Sequence, residues 1–213
     1  PTYGERNLEF VEGQGCYLTS TDNNQFLDFG SGIAVNSLGH CHPRLVKALQ
    51  LQSSKLWHIS NLYHNSAQEE YAKLLCLNSF AEKVFFTNSG VESIEAGIKV
   101  IKSYHHYHNN LDQKNIITFE GAFHGRTMMG LSLTSKVTYK SGFGPFCGEV
   151  YRMPYAYDYR SPVDTSNDFE LACADLLEEM FRSHGAPGEV AAVIVEPVLG
   201  EGGFVAPGSR YFQ

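Results

Sequence analysis

Three stretches of the sequence combine small, polar and charged residues in patterns suited to binding an anionic ligand. The first is residues 88–90, Asn-Ser-Gly, between the apolar run VFFT and a helical pattern that begins at Val91. Free backbone N–H groups at a helix start, together with the helix dipole, attract an anion. Gly90 lets a ligand approach the backbone, and Ser89 adds a hydroxyl donor. The stretch predicts a phosphate cradle, although Ser89 and Glu92 also fit an ordinary capping box that binds nothing.

The second stretch is EGAFHGRTMMG, residues 120–130, which follows the apolar run NIITF. In open α/β sheets, ligands bind beyond the carboxyl ends of the strands. Phe123 could stack on a flat ring, His124 could stack or hydrogen-bond, and Arg126 could hold a carboxylate with its planar guanidinium. The alternative is a surface loop with a phenylalanine that fills the core and a solvated arginine.

The third stretch is VEPVLGEGGFVAPG, residues 195–208. Glu196 ends a predicted buried strand, so its charge requires a partner. Glu201 lies between glycines, where it could also be a solvated loop carboxylate. Because three strand ends with polar, glycine-rich loops should meet at one edge of a sheet, we expect one ligand site there.

Apolar runs alternate with helical patterns through most of the chain, which predicts an α/β fold with a parallel sheet covered on both faces. The predicted elements are, in order, strand KVFFT, helix 91–104, strand NIITF, a strand near EVYRMPY, helix 168–182 and strand AAVIVEP.

The first 60 or so residues are predicted to form a different, smaller unit. Residues 8–29 indicate two strands around the turn TDNNQ. Pro43 lies near the start of a predicted helix, where proline is tolerated. A second helix is expected over Ser66 to Asn78, with Ser66 and Glu69 matching a capping box.

Composition restricts the class of protein. The 213 residues are 43% hydrophobic and 18% charged, which is typical of a globular chain. The net charge of −7 argues against nucleic acid as a partner, and no apolar run is long enough to span a membrane. The five cysteines are scattered, which favours a reducing compartment over a disulfide framework. His105, His106 and His108 lack ligand spacing, so we expect no metal site.

Taken together, five segments resemble the class III (ornithine/4-aminobutyrate type) pyridoxal-phosphate aminotransferases. They are LDFGSGIAVNSLGHCHPRLVKAL, LWHISNLYHNSAQEEYAKLL, VFFTNSGVESIEAGIKV, ITFEGAFHGRT and VIVEPVLGEGGFVAPGSRYF. The resemblance implies the type I fold of pyridoxal-phosphate-dependent transferases, which is aspartate-aminotransferase-like. Residues 1–60 would be the N-terminal segment of the small domain and a linker. Residues 61–213 would be the first part of the large cofactor-binding domain, with an incomplete, mostly parallel sheet.

The resemblance also implies roles for individual residues. Ser89, Gly90 and Val91 would hold the phosphate of pyridoxal 5'-phosphate, and Phe123 would stack on its pyridine ring. The residues implied to bind substrate are Arg126, for the α-carboxylate, together with Glu196 and Glu201. In related enzymes the second glutamate holds an arginine from later in the chain. Asn61, Leu62 and Tyr63 would border the substrate entrance.

Transamination requires a lysine that forms a Schiff base with the cofactor. In the family this lysine follows the VEP segment, and none of the nine lysines here matches its motif. We therefore expect the lysine beyond Gln213, no catalytic residue within this chain, and no transamination by the chain alone. A non-catalytic half-enzyme that acts as a binding module is the alternative from another class.

Local differences from the family bear on specificity. Val91 replaces the usual Thr or Ala, and Leu199 replaces the usual Gln, which should remove one polar contact beside the pocket. Ornithine enzymes tend to carry a tyrosine near Ile33, whereas GIAVNSLGH follows the acetylornithine pattern. The implied partners are N-acetylornithine as amino donor, 2-oxoglutarate as acceptor, and a second copy in a homodimer. An ω-amino acid (4-aminobutyrate or ornithine) or succinyl-diaminopimelate is the alternative donor. The expected location is cytoplasmic, with the mitochondrial matrix as the alternative.

Overall fold

The computed structural model describes residues 4–164 and 168–213, and the chain divides into two compact units. The first unit ends at Val84, and the second spans Phe85–Gln213. The domain boundary expected near residue 60 stays a prediction.

The N-terminal unit contains a three-stranded antiparallel sheet rather than the two strands that the sequence predicted. Its strands, in the order β1-β2-β3, are β1 (Phe10–Gln14), β2 (Tyr17–Ser20) and β3 (Gln25–Leu27). The predicted turn joins β2 to β3. The extra strand, β1, has the sequence FVEGQ, in which a glycine and a charged residue weaken the strand signal. It forms because its backbone pairs with β2.

Three helical segments follow in this unit: α1 (Ser31–Ala34), α2 (Pro43–Ser53) and α3 (Ser66–Leu77). Pro43 begins α2, as expected. The capping box predicted at Ser66 is wrong by one residue, because Asn65 is the N-cap of α3. Its side-chain oxygen accepts hydrogen bonds from the N–H groups of Ala67 at 3.1 Å and Gln68 at 3.3 Å. Glu69 instead contacts His64 at 3.0 Å.

Replacing Asn65 by alanine should therefore lower the free energy of unfolding by about 1 kcal/mol, the usual cost of losing an N-cap. Ser66→Ala is the matched control and should change stability by less than about 0.5 kcal/mol. Urea titration followed by circular dichroism measures both. A larger loss in Ser66→Ala than in Asn65→Ala would contradict the assignment of the cap.

The second unit is built on a three-stranded parallel sheet. Its strands, in the order β5-β4-β6, are β4 (Asn115–Phe119), β5 (Val150–Met153) and β6 (Val190–Val193). The helices are α4 (Gly90–Tyr107), α5 (Met128–Leu133), α6 (Val137–Lys140) and α7 (Phe169–Ser183), with 3₁₀ turns at Asp158–Arg160, Pro187–Glu189 and Ser209–Phe212. Among the helices of the described ranges, none is long and apolar enough to cross a membrane.

Helices cover both faces of this sheet, as the uninterrupted apolar run NIITF predicted. Neighbouring residues of a strand point to opposite faces. Ile116 packs with Ile98 of α4 on one face, while Ile117 packs with Met180 of α7 on the other. All five residues of β4 are buried. The central strand therefore fixes where the loops at its carboxyl end lie.

The strand predicted at KVFFT is wrong, because residues 83–87 form no strand within the described part of the chain. Phe85 is 77% exposed. An extended segment becomes a strand only where a neighbouring backbone completes its hydrogen bonds. The composition of the run resembles that of NIITF, but only NIITF has neighbours in the sheet.

Candidate functional site

Helix α4 begins at the predicted phosphate cradle, and its first turn is capped. The Ser89 hydroxyl oxygen accepts a hydrogen bond from the N–H of Glu92 at 3.3 Å. The Glu92 carboxylate in turn accepts from the N–H of Asn88 at 2.6 Å and from its side-chain amide at 2.9 Å. The Ser89 half of the capping box expected as the alternative is thus present, whereas the Glu92 carboxylate accepts from Asn88 rather than from the Ser89 N–H. The cap leaves the Ser89 hydroxyl proton available to an acceptor.

The next two N–H groups of α4 suit an anion. Within the described ranges, no acceptor is recorded for the N–H groups of Gly90 and Val91. A Cβ added to Gly90 would meet no atom within 4 Å, so open space lies beside this backbone. Donors that have space in front of them and the positive end of an 18-residue helix behind them favour a phosphate.

A cleft of about 360 Å³ brings this helix start together with two of the predicted loops. It lies beyond the carboxyl ends of β4 and β6, where α/β folds bind ligands. It is lined by Gly90, Val91, Ile94, Phe123, His124, Gly125, Ile194, Val195, Glu196 and Pro197. Apolar walls with few polar groups are typical of a small-molecule site. A flat ring that carries a phosphate fits this combination of amide donors, aromatic wall and carboxylate.

The partner of Glu196 is backbone rather than a cation. One carboxylate oxygen accepts from the N–H of Phe123 at 2.8 Å, and the other accepts from the N–H of Gly200 at 2.9 Å. The Glu196 carbonyl oxygen accepts from the hydroxyl of Tyr155 at 2.8 Å. Burial raises the pKa of Tyr155 to about 12, with a further contribution from the negative charge of Glu196. Glu196 therefore joins the loop that carries Phe123 to the loop that follows β6.

His124 points into the core rather than serving as an open stacking group. Its side chain is 5% exposed, and Nε2 lies 3.1 Å from the Thr118 hydroxyl. Its backbone N–H donates to the Thr134 hydroxyl oxygen at 2.9 Å. Burial lowers the pKa of His124, the negative charge of Glu196 opposes this shift, and the positive charge of Arg152 adds to it. His124 therefore ties the loop of residues 120–130 to Thr118 of β4 and to Thr134.

This burial predicts a pH dependence of stability. A histidine whose folded-state pKa lies below its unfolded value of 6.5 binds fewer protons when folded. Its contribution is present above about pH 6.5 and is lost as the pH falls towards the folded pKa. The stability of wild type relative to His124→Gln should therefore fall as the pH drops below about 6.5. Urea midpoints at several pH values measure this, and a constant difference would show that His124 does not contribute.

Arg126 and Glu201 both contact Tyr139. The Arg126 guanidinium carbon lies 4.7 Å from the centre of the Tyr139 ring. The Tyr139 hydroxyl lies 3.3 Å from one oxygen of Glu201, and Lys136 Nζ lies 3.2 Å from the other. Glu201 is thus an exposed loop carboxylate that contacts both Tyr139 and Lys136. Phe123 also touches Tyr139, edge to face, at a centroid distance of 5.6 Å.

Leu199 is 3% exposed and belongs to the core cluster under the sheet. Its side chain lies so close to Gly121 and Gly202 that an added Cβ on either glycine would come within 3.0 Å and 2.3 Å of it, respectively. The residue therefore faces the core, and a leucine at this position is explained by packing against the two glycines.

Sequence analysis missed Tyr139, Lys136 and Thr134 as residues of this region. They occupy TSKVTYK, residues 134–140, which carries no recognisable spacing. Lys136 and Tyr139 contact Glu201, more than 60 positions away, whereas Thr134 contacts the backbone of His124 and Gly125. The expected entrance residues Asn61, Leu62 and Tyr63 are exposed in the N-terminal unit.

Comparison with known proteins agrees with this geometry. The family model "Aminotransferase class-III" matches residues 2–213. Acetylornithine aminotransferase of Agrobacterium fabrum is 39% identical over 212 residues, which are 100% of this chain and 48% of that protein. Acetylornithine aminotransferase of Clostridium acetobutylicum is 41% identical over 212 residues, covering 100% and 49%. The chain spans about half the length of the curated relatives it matches.

A solved structure confirms the expected fold. The omega transaminase of Pseudomonas jessenii, crystallised in complex with PMP, superposes with a TM-score of 0.88 at 26% identity. The match covers 96% of this chain and 46% of that one. The second unit thus has the parallel-sheet architecture of type I pyridoxal-phosphate transaminases, and the chain belongs to the class III aminotransferase family.

Proposed function

We propose that this chain forms the cofactor-binding part of an aminotransferase that moves an amino group from N-acetylornithine to 2-oxoglutarate. The products would be N-acetylglutamate semialdehyde and glutamate, as in arginine biosynthesis. The observation that carries the proposal is the cleft in which the start of α4, Phe123 and Glu196 meet. The choice of donor is supported by the names of the relatives that are 39% and 41% identical.

Pyridoxal phosphate is the cofactor of this family, and the residues of the cleft fit it. The N–H groups of Gly90 and Val91 and the Ser89 hydroxyl would donate to the phosphate. Phe123 would pack against the pyridine ring. When bound, the cofactor supplies an electron sink for the amino acid substrate. This chain holds and orients it and excludes water from the apolar side of the cleft.

The substrate side of the site would be formed by Arg126, Glu196 and Glu201. A guanidinium binds a carboxylate through two parallel hydrogen bonds, so Arg126 suits the α-carboxylate of an amino acid. Both oxygens of Glu196 accept backbone N–H groups, so we assign it to the pocket wall, where it fixes Phe123. Glu201 would line the pocket beside Tyr139.

We further propose a homodimer in the cytoplasm, with small-molecule partners only. An amine without a carboxylate is the second candidate donor, because an omega transaminase variant engineered for the synthesis of enantiopure bulky amines superposes with a TM-score of 0.88. Arg126 supports a donor with a carboxylate, since a guanidinium and a carboxylate can form two parallel hydrogen bonds.

The test is an assay of the full-length product of the gene that encodes this chain. N-acetylornithine with 2-oxoglutarate should give glutamate at a kcat/KM at least about tenfold above that of 4-aminobutyrate or a simple amine. Equal or greater turnover of 4-aminobutyrate or of the simple amine would overturn the assignment of the substrate. Failure of all donors, with no pyridoxal phosphate retained after dialysis, would overturn the proposed function itself.

Replacing Arg126 by lysine should raise KM for N-acetylornithine by about tenfold, because a point charge cannot make the paired hydrogen bonds of a guanidinium. The affinity for pyridoxamine phosphate should stay within about twofold, since Arg126 does not belong to the phosphate cradle. Steady-state kinetics and a binding titration measure the two quantities. A changed cofactor affinity with an unchanged KM would contradict the role assigned to Arg126.

A further inference from the structure

Tyr139 touches three of the residues to which the proposed function gives roles. Its ring lies edge to face with Phe123 at 5.6 Å between centroids. The Arg126 guanidinium carbon lies 4.7 Å from its ring centre, within the range of a cation–π contact. Its hydroxyl lies 3.3 Å from a Glu201 oxygen. Tyr139 therefore contacts Phe123, which is proposed to hold the cofactor ring, and Arg126, which is proposed to bind the substrate carboxylate. It also contacts the acidic Glu201.

Lys136 completes the cluster. Its Nζ lies 3.2 Å from the second oxygen of Glu201 and 5.1 Å from the centre of the Tyr139 ring. Its hydrogen bond to Glu201 raises the pKa of Lys136, so the side chain stays an ammonium and is a poor nucleophile. Lys136 is the N-cap residue of α6, and Tyr139 lies within that single turn. Both side chains thus leave the same short element.

We propose that Tyr139 and Lys136 are positioning residues, which keep Phe123, Arg126 and Glu201 fixed relative to one another. The proposal rests on the proposed function, because the three residues matter only if the cleft binds cofactor and substrate. Neither Tyr139 nor Lys136 is required to touch the reacting atoms.

The physical reason lies in the charges. In the described ranges, Lys136 is the cation recorded within ion-pair distance of Glu201. Without it, the Glu201 carboxylate would lose the ammonium that holds it beside the Tyr139 ring, and its position relative to Arg126 would change. Without the Tyr139 ring, Phe123 and Arg126 would lose the aromatic surface that both side chains contact. Lys136 should therefore govern substrate affinity, and Tyr139 should also govern cofactor affinity.

The experiment compares variants of the full-length gene product in kcat, KM for N-acetylornithine and the dissociation constant of pyridoxamine phosphate. Pyridoxamine phosphate has no aldehyde, so it cannot form a Schiff base with a lysine, and the titration measures noncovalent binding. The variants are Lys136→Met, Lys136→Arg, Tyr139→Phe and Tyr139→Leu. Lys140→Met is the control for Lys136→Met, because it removes the same positive charge from a lysine outside the cluster. Its Nζ lies 4.9 Å from the centre of the Phe146 ring. Tyr107→Phe, at an exposed site, is the control for Tyr139→Phe.

Lys136→Met should raise KM about fivefold with kcat within about twofold, the scale of a partly exposed ion pair, and Lys136→Arg should restore it. Tyr139→Phe keeps the ring and should raise KM about twofold without affecting pyridoxamine phosphate. Tyr139→Leu should weaken pyridoxamine phosphate about fivefold or more.

Two outcomes would overturn the proposal. In the first, Lys136→Met and Tyr139→Leu resemble their controls. In the second, all variants lose kcat equally and Lys136→Arg does not restore KM. That result would indicate a merely structural role. If wild type neither binds pyridoxamine phosphate nor turns over a donor, the proposed function has failed first.

Discussion

Replacing Gly125 by alanine should lower the free energy of unfolding by about 3 kcal/mol, the sum of overpacking and backbone strain. A Cβ at this position would lie 2.2 Å from Cγ2 and 2.5 Å from Cβ of Val91. The backbone φ of +106° is also one that side chains other than glycine rarely adopt. Because Val91 belongs to the proposed phosphate cradle, the clash should also displace the start of α4 and weaken pyridoxamine phosphate binding.

Two variants separate the clash from the strain. Gly142 has a φ of +85° with no atom within 4 Å of an added Cβ, so Gly142→Ala reports strain alone and should cost about 1 kcal/mol. Adding Val91→Gly to Gly125→Ala removes the side-chain clash but not the strain, so a double-mutant cycle should give a favourable coupling of about 1 kcal/mol or more. Urea unfolding gives the free energy of unfolding of wild type, Gly125→Ala, Val91→Gly, the double variant and Gly142→Ala. A Gly125→Ala cost no greater than that of Gly142→Ala would contradict the close contact.

Replacing Glu196 by glutamine should lower the free energy of unfolding by about 2 kcal/mol, because one of two backbone N–H groups would lose its acceptor. The N–H groups of Phe123 and Gly200 each donate to a different oxygen of this carboxylate. An amide offers one oxygen, and its NH₂ would face the second donor. The loop that holds Phe123 should then loosen, and the affinity for pyridoxamine phosphate should fall about tenfold.

Glu120→Gln provides the matched control. Glu120 is an exposed carboxylate just after β4, at the same edge of the sheet as Glu196. Its substitution should change stability by less than about 0.5 kcal/mol and leave the cofactor affinity unchanged. Equal effects of the two substitutions would mean that Glu196 does not fix the loop.

The sequence predicted those parts of the fold in which one segment carries its own signal. NIITF forms a fully buried strand because four of its five side chains are apolar or β-branched, which suits a sheet covered on both faces. The helix after Gly90 forms because its apolar residues recur at helical spacing and Ser89 can cap it. The predicted N-cap of α3 was wrong by one residue. Asn65 and Ser66 are both good N-cap residues, and only the backbone geometry distinguishes them.

The parts that could not be predicted depend on contacts between distant segments. KVFFT has the composition of a strand, but whether it becomes one depends on a neighbour that its own residues do not specify. The partner of Glu196 is a backbone N–H 73 residues earlier in the chain. Tyr139 contacts Glu201, 62 residues later. Candidate residues of the site were found through motif spacing and resemblance, whereas the network between them required the structure.

The most direct test of the central claim is to follow the backbone amides of ¹⁵N-labelled protein by NMR while adding pyridoxamine phosphate. The amides of Gly90 and Val91 should shift most, with that of Phe123 also affected, because the phosphate would accept from the first two and the ring would pack against the third. Suppose instead that the largest shifts fall around Lys102, His106 and Lys114, which line a separate cleft of about 350 Å³ near the opposite end of β4. Ser89–Val91 would then not be the phosphate site, and the proposed function would lose its main support.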